Sequence, residues 1–188
     1  MAIQDSARRK LTYEDYERIP DDGMRHEILA GELYVSAAPS LRHQRASVAL
    51  TLRFGSYLEE HPLGEILTAP CDVVLSPHDV VQPDLIFISN ERAAIVTEKN
   101  IQGAPDLLIE ILSDSTRKRD EGIKRERYEL FGVREYWLVD PVRHTVLVYR
   151  REGERFHRLG RFAAAANDLL TTPLLPGLEI HLAKIFTL

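Results

Sequence analysis

The sequence predicts an α/β (α+β) fold in which a mixed β-sheet is flanked by helices. Residues 83–88 (PDLIFI) and 107–112 (LLIEIL) are apolar on both faces, which is typical of central strands buried on both sides. Residues 41–60 and 116–131 instead place apolar side chains at helical spacing. A chain of 188 residues, 44% apolar and 28% charged, without internal repeats or a linker, is expected to form one domain, residues 1–188.

Two helices are expected in the first sixty residues. Thr12 is placed to cap a short helix over 11–18, with Asp15 at the third position of a capping box. Ser40 is placed to cap a second helix that runs to about residue 60. The apolar stripe of that second helix is expected to contain Val48, Ala49, Leu52 and Tyr57.

Between these helices, HEILAGELYVS predicts a β-hairpin closed by Ala30 and Gly31. Cross-strand partners share a face, so this register places Glu27 and Glu32 on the same face of the hairpin. The expected pairs are Glu27 with Tyr34 and Leu29 with Glu32. One of the two glutamates could supply a third carboxylate to a site, and exposure on a polar face is the alternative.

The remaining strands follow from further apolar runs. GEILTAP and CDVVLS are expected to be joined by a proline turn and to form an antiparallel start with the hairpin. ERAAIVTEKNIQG predicts a short helix or loop. GVREYWLVDP and RHTVLVYRRE are expected to pair across a turn at 141–143, with Tyr136 and Trp137 in a core or an interface. For the C-terminal segment, residues 162–186, the sequence predicts a loop, a last strand near 178–181 and a short helix.

Composition narrows the functional classes. The net charge of −5 argues against a uniformly basic nucleic-acid-binding protein, although 117–127 contains six basic and three acidic residues, and 143–161 contains six arginines and two glutamates. Solvated surfaces are the alternative explanation of both runs. The lone Cys71 provides neither a disulfide framework nor a thiolate zinc site. Without a membrane span or a signal-peptide core in the sequence, the expected location is cytoplasmic.

Two acids lie where acids are rarely found. Asp84 follows Pro83 at the start of one apolar run, and Glu110 lies inside the other. A buried carboxylate is costly unless it pairs with a cation or coordinates a metal. One such acid is more often a strand-end or capping residue. Two of them on two strands, followed by a lysine on an apolar helix face, predict a shared metal ion.

That lysine is Lys124. At 100° per residue, the helix over 116–131 has an apolar stripe, and Lys124 falls within it. The residues that form this stripe are Ile123, Tyr128, Leu130 and Phe131. A lysine there either extends its stem along apolar surface or meets a buried anion. Asp120, four residues earlier, offers the alternative of an ordinary ion pair on a helix surface. The two acids on the preceding strands favour the catalytic interpretation.

A strand with Pro83-Asp84, a second strand bearing an acid, and a following lysine resemble the PD-(D/E)xK superfamily of metal-dependent nucleases. The longer pattern resembles its Uma-type restriction-endonuclease family, over about residues 11–150. The matching segments are LTYEDYERIPDDGMRHEILAGELYV, SLRHQ, VQPDLIFIS, APDLLIEILSDSTRKRDEGIKRERYELFGVREYWLVDP and TVLVYR. The superfamily places its lysine two residues after the second acid, where this chain has Leu112. The resemblance therefore implies a lysine from the following helix, Lys124 or, as the weaker candidate, Lys118.

The resemblance implies a metal-dependent endonuclease. Asp84, Glu110 and the backbone carbonyl of Ile111 would hold one or two Mg²⁺ or Mn²⁺ ions, and Glu27 or Glu32 would complete the metal shell. Lys124 would position the attacking water or stabilise the transition state electrostatically. The substrate would be duplex DNA, bound mainly through its backbone. The candidate contacts to DNA are His43, Lys118 and Arg119.

The sequence also leaves open two alternative functions and predicts an assembly state. The acidic net charge and the missing local lysine also fit a catalytically silent nuclease-fold protein that serves in binding or assembly. A metal-dependent phosphodiesterase for small molecules is the other alternative. A homodimer is expected because four aromatic residues exceed what one compact core needs, and dimers are the commonest soluble assembly. These residues are Tyr136, Trp137, Tyr149 and Phe156.

Overall fold

The computed structural model describes residues 9–186, and within them the strands form three sheets instead of one. The strands are β1 (Arg25–Leu29), β2 (Glu32–Ser36), β3 (Gly64–Thr68), β4 (Val73–Ser76), β5 (Asp79–Val81), β6 (Leu85–Ser89), β7 (Ile101–Gln102), β8 (Leu107–Ile111), β9 (Glu135–Asp140), β10 (Thr145–Glu152), β11 (Arg155–Ala163), β12 (Leu169–Thr172) and β13 (Leu175–His181). The helices are α1 (Tyr13–Tyr16), α2 (Leu41–Glu60), α3 (Arg117–Arg119), α4 (Arg125–Phe131) and α5 (Ala183–Phe186). A π-helical segment, Asp120–Lys124, joins α3 to α4.

The largest sheet has six strands in the order β11-β10-β9-β8-β6-β3. Its strands β8 and β9 are parallel and the other neighbours are antiparallel, so the sheet is mixed. The predicted central strands are β6 and β8, which are adjacent, and every residue of β8 is buried. The mixed sheet and the helices that flank it confirm the predicted α/β (α+β) class.

The second sheet has five strands in the order β2-β1-β5-β4-β7 and contains the predicted hairpin. The hairpin register is confirmed, with Glu27 opposite Tyr34 and Leu29 opposite Glu32. The expected pairing of GEILTAP with CDVVLS is wrong, because β3 joins the six-stranded sheet and β4 the five-stranded one. One apolar cluster contains residues of both sheets, so the sheets pack against each other and the chain crosses between them after β3.

The other face of the six-stranded sheet is covered by α2, α5 and the two-stranded sheet of β12 and β13. Ser40 caps α2 by accepting a hydrogen bond from the backbone N–H of His43, as predicted. The predicted stripe of α2 is partly wrong, since Val48 and Leu52 are exposed. The buried face of the helix consists of His43, Ala46, Ala49, Leu50 and Phe54. Small alanines next to the sheet define this face, and they contribute little to a pattern of large apolar residues.

The N-terminal helix is confirmed in shortened form. α1 spans four residues, and Thr12 and Asp15 form the predicted capping box. Within residues 9–186, no helix is both long enough and apolar enough to span a bilayer.

The C-terminal part contains two strands, β11 and β12, that were not predicted. The pairing of β9 with β10 is confirmed. The aromatic residues that motivated the dimer are core residues instead: Tyr136 and Trp137 are fully buried, and Tyr149 and Phe156 pack partly buried against the same core. That argument for a homodimer is therefore wrong, and the oligomeric state stays a prediction.

Candidate active site

Asp84 lies immediately before β6, on a buried end of the six-stranded sheet. Leu85 is opposite Ile109 in the antiparallel pairing of β6 with β8, so Asp84 lies at the level of Glu110 on the neighbouring strand. Asp84 Oδ1 accepts a hydrogen bond from Arg25 Nη1 at 2.8 Å. Asp84 Oδ2 accepts one from the backbone N–H of Ile111 at 2.7 Å and lies 3.1 Å from His43 Nε2. These contacts fix the orientation of the carboxylate.

Burial alone would raise the pKa of Asp84, but the hydrogen bond from His43 and the positive charge of Arg25 outweigh it. The pKa is therefore lowered from its ordinary value, and Asp84 is ionised at neutral pH.

Glu110 lies inside β8 and contacts the predicted lysine. Its Oε1 accepts hydrogen bonds from Lys124 Nζ at 2.8 Å and from the hydroxyl of Tyr128 at 2.7 Å. Lys124 is 0% exposed, so the alternative of an ion pair on the helix surface is wrong. The predicted set of Asp84, Glu110 and Lys124 thus comes together in one buried cluster. With Glu27 and Asp120 added, we call these five residues the acid cluster.

Asp120 and Lys124 face the same interior because residues four apart lie on one side of a helix. Both belong to a π-helical segment, a feature that is frequent at functional sites. Asp120 and Lys124 are both buried, and Asp120 Oδ1 lies 3.7 Å from Lys124 Nζ. Tyr136 donates a hydrogen bond to the backbone carbonyl of Asp120 at 3.0 Å, which satisfies this buried carbonyl. Leu130 is exposed, contrary to its predicted place in the stripe.

Glu27, and not Glu32, is the hairpin glutamate that reaches the acid cluster. Glu27 is fully buried, and its Oε1 lies 2.7 Å from Lys124 Nζ and accepts a hydrogen bond from the backbone N–H of Gln82 at 2.9 Å. Glu32 is exposed. Both lie on one face of the hairpin by register, but only Glu27 is covered by other parts of the protein, since β1 lies inside the sheet and β2 is its edge strand.

The three predicted DNA contacts have different environments. His43 is buried against Asp84 and has little exposed surface for a contact to DNA, and its predicted role as a DNA contact stays a prediction. Arg119 is largely buried: its Nη2 lies 3.3 Å from Glu27 Oε2 and donates a hydrogen bond to Ser36 Oγ at 2.6 Å. Lys118 is exposed, as a DNA contact requires.

Comparisons with known proteins identify the family of the chain and a structure of similar fold. The Uma2 family model, described as "Putative restriction endonuclease", matches residues 13–183. The chain belongs to the Uma2 family. The crystal structure of a "putative nuclease" from Anabaena variabilis ATCC 29413 is similar, with a TM-score of 0.77 at 19% identity, over 94% of this chain and 98% of that chain. No curated protein matches the sequence.

Membership of the Uma2 family confirms the resemblance to Uma-type restriction endonucleases and makes the protein nuclease-like. The similarity to the Anabaena variabilis structure extends to the fold of nearly the whole chain.

The acid cluster contains more carboxyl groups than permanently charged cations. Four carboxylates, those of Glu27, Asp84, Glu110 and Asp120, face three permanently charged partners, Arg25, Arg119 and Lys124. Burial and the neighbouring carboxylates raise the pKa of Glu110 to about 8, against the opposing charge of Lys124. Burial lowers the pKa of Lys124, but the negative charges of Glu110, Glu27 and Asp120 raise it by a larger amount. The net shift of the pKa is therefore upward. Lys124 stays charged, and Glu110, the carboxyl in excess over the three cations, holds a proton at neutral pH.

The chemistry of these donors fits a divalent metal, although their present contacts are with protein groups. Carboxylate oxygens on adjacent strands are the ligands that Mg²⁺ and Mn²⁺ prefer. Oδ1 of Asp120 and Oε2 of Glu27 are buried without a hydrogen-bond partner, which leaves acceptor capacity in the acid cluster. Among residues 9–186, no group of three or more acid, histidine or cysteine side chains is placed to hold a metal as it stands. Metal binding in this Uma2 protein would therefore exchange some of the existing contacts.

Sequence reasoning missed three residues of the site as functional partners. Arg25 lies two residues before Glu27 on β1, so strand alternation places both on one face and could have identified it. Tyr128 follows Lys124 by one helical turn, but it was assigned to the apolar stripe because its hydroxyl has no sequence signature. Asp120 was seen only as a surface partner, although its spacing of four residues from Lys124 places it on the same helix face.

Proposed function

We propose that this Uma2-family protein is a metal-dependent endonuclease of the PD-(D/E)xK type that hydrolyses phosphodiester bonds in DNA, with Mg²⁺ or Mn²⁺ as its cofactor. One observation supports this most strongly: Asp84, Glu110 and Lys124 come from three separate elements and meet in one buried cluster. A buried lysine that stays charged beside a surplus of carboxylates costs folding free energy, which a purely structural role does not explain.

The residues have distinct roles in this proposal. Asp84 and Glu110, with the backbone carbonyl of Ile111, would hold the metal, which supplies Lewis-acid stabilisation and a water of lowered pKa when bound. Lys124 directs a fixed positive charge at the place where negative charge develops on the phosphodiester. Tyr128 donates to Glu110 and holds its carboxyl in position.

Glu27 acts as a positioning residue. Its contacts to Lys124 and to the backbone of Gln82 hold the ammonium group next to Glu110. Arg119 in turn holds Glu27 from the other oxygen and lies over the ring of Tyr34, at 5.7 Å. This chain of contacts explains how a lysine from a helix can replace the one that the superfamily places on the second strand, where this protein has the buried Leu112.

The substrate in this proposal is duplex DNA bound through its backbone, in the cytoplasm. The net charge of −5 means that binding depends on local basic residues and not on the overall field. Lys118 is an exposed basic residue on α3 and the sequence neighbour of Arg119, which contacts Glu27. Of the three DNA contacts predicted from the sequence, Lys118 is therefore the one that is exposed to a phosphate.

A catalytically silent nuclease-fold protein is the second candidate function. The observation that favours it is that both oxygens of Asp84 already accept hydrogen bonds from protein groups. Such a protein would bind nucleic acid or another protein with equal affinity in the presence and absence of divalent metal.

Nicking of a supercoiled plasmid distinguishes the two candidates. Wild type is expected to convert supercoiled to open-circular DNA in Mg²⁺ or Mn²⁺ but not in EDTA. Glu110→Gln keeps an oxygen that accepts from Lys124 and Tyr128 but removes the charge, and it should abolish nicking. Asp79→Asn, at an ion pair outside the acid cluster, should retain nicking per folded molecule. Metal-dependent nicking that is equal in wild type and Glu110→Gln would contradict the proposed catalytic site.

A further inference from the structure

We propose that Arg25 occupies the cation position of the acid cluster in the metal-free protein, and that a divalent metal binds by displacing its guanidinium group. This inference rests on the proposed function, because it concerns how the proposed metal site is filled. It assigns to Arg25 the role of a competitor that sets metal affinity.

The position of Arg25 supports this role. Arg25 is the first residue of β1 and shares a strand face with Glu27, two residues on. Its Nη1 lies 2.8 Å from Asp84 Oδ1, the distance of a charge-assisted hydrogen bond. The carboxylates that attract Arg25 are those of Asp84, Glu110 and Glu27, which include both acids proposed to hold the metal. Arg25 is therefore the counter-cation of the proposed ligand set.

A metal and Arg25 cannot share this position. A dication bound at Asp84 would lie within a few ångströms of the guanidinium, and like charges at such distances repel by at least several kcal/mol at an effective dielectric constant of ~20. The oxygen that faces Arg25 would also have to be shared between a hydrogen bond and a coordination bond. Binding of the metal thus requires that the guanidinium leave Asp84 Oδ1.

Arg25, and not Lys124, has a route out of the site. The side chain of Arg25 is 21% exposed, and β1 follows an exposed turn at 21–24. Lys124 has no exposed surface and is held by Glu27 and Glu110 at 2.7 and 2.8 Å. Displacement of Arg25 to the solvent therefore leaves Lys124 in place beside the metal.

Calorimetric titration of the metal-free protein with MnCl₂ tests the exchange. Arg25→Gln removes the competing charge, so it should bind Mn²⁺ at least about tenfold more tightly than wild type, which corresponds to about 1.4 kcal/mol. Arg127→Gln removes an arginine that pairs with a buried acid elsewhere, Asp79, and should bind Mn²⁺ as wild type does. Equal or weaker binding by Arg25→Gln would overturn the proposal.

Two further measurements keep the outcome unambiguous. Mn²⁺ should raise the melting temperature of Arg25→Gln by more than that of wild type, since tighter binding stabilises more at equal concentration. If Arg25→Gln does not fold, Arg25→Met takes its place. Its side chain keeps an apolar stem but carries no charge, so an affinity above wild type is expected, and wild-type affinity would overturn the proposal.

The result also separates this proposal from the proposed function. Equal Mn²⁺ affinities in wild type and Arg25→Gln, both lost on Glu110→Gln, would support the metal site and reject the role of Arg25. Absence of Mn²⁺ binding from both folded proteins would reject the metal site and, with it, the exchange.

Discussion

Two buried acid–base groups in this protein differ in how completely their charges are matched. Asp79 pairs with Arg127 in a bidentate arrangement, with two contacts of 2.7 Å, and its oxygens also accept hydrogen bonds from the backbone N–H of Ala30 and the hydroxyl of Ser76. One acid meets one base, and each oxygen has two donors. Burial would raise the pKa of Asp79, but these contacts lower it.

The acid cluster has the opposite balance. Its four carboxylates exceed its three permanent cations, and Glu110 has a pKa raised to about 8 by burial and by the neighbouring acids. The pair at Asp79 connects the hairpin sheet to α4 and serves the fold. We infer from the comparison that a buried group with equal numbers of acids and bases serves structure, whereas a group in which acids outnumber bases is a candidate cation site.

Lys124 should have the largest effect on activity. Lys124→Ala is expected to leave metal binding nearly intact and to lower turnover by about two to four orders of magnitude, because it removes one fixed charge from the transition state. Single-turnover nicking at saturating Mg²⁺ measures this loss. Lys124→Arg should also be impaired, since a planar fork does not replace a point charge in this buried space.

Because Lys124 is fully buried, folding of both variants must be checked by circular dichroism before their rates are compared. Full activity in Lys124→Ala and Lys124→Arg would remove Lys124 from the mechanism and leave Lys118 as the next residue to test.

Much of the acid cluster could be predicted from the sequence because each residue violates its local pattern. Asp84 and Glu110 are acids in apolar runs, and Lys124 is a cation within an apolar helical stripe. Arg25 and His43 violate no local pattern, since one lies at the end of a turn and the other in the first turn of a helix. Strand alternation relates Arg25 to Glu27, but the contacts of Arg25 and His43 with Asp84, 59 and 41 residues away in the chain, appear only in the structure.

The division into two packed sheets escaped prediction for a related reason. Periodicity identifies strands such as β3 and β4 but does not specify which strands pair, and the residues between them do not show that the chain changes sheets. The strand β11 was missed because its apolar residues do not alternate regularly, and β12 was missed because it has only four residues.

The contributions of Glu110 and Asp79 to folding stability should depend on pH in opposite directions. The folded-state pKa of Glu110 is raised above its unfolded value of about 4.5, so the folded protein holds the proton that the unfolded chain releases, and stability falls as pH rises from about 4.5 to 8. The slope for one proton is at most about 1.4 kcal/mol per pH unit. Urea unfolding in EDTA at pH 5, 6.5 and 8 measures it.

Glu110→Gln should reduce this slope, whereas Asp79→Asn should leave it unchanged. The pKa of Asp79 is lowered, so its contribution is present above about pH 4 and is lost as the pH falls further. An identical pH profile for wild type and Glu110→Gln would show that Glu110 is not the residue that titrates in this range.

The pair of Asp79 and Arg127 should affect stability alone. Arg127→Met leaves the buried Asp79 without its partner and should cost about 2–3 kcal/mol, somewhat below the cost for a fully buried pair because Arg127 is partly exposed. The double variant Asp79→Asn with Arg127→Met should lose less than the sum of the single variants. Chemical denaturation gives these values, and a loss of metal affinity in Arg127→Met would contradict the distinction between the two groups.

The central claim is that the surplus carboxylates of the acid cluster bind a divalent cation. Calorimetric titration of the folded wild type with Mn²⁺, alongside Asp84→Asn, Glu110→Gln and Asp79→Asn, tests it most directly. Saturable binding is predicted for wild type and Asp79→Asn, and its loss for Asp84→Asn and Glu110→Gln. Absence of binding from wild type, or binding of equal affinity in all four proteins, would contradict the claim.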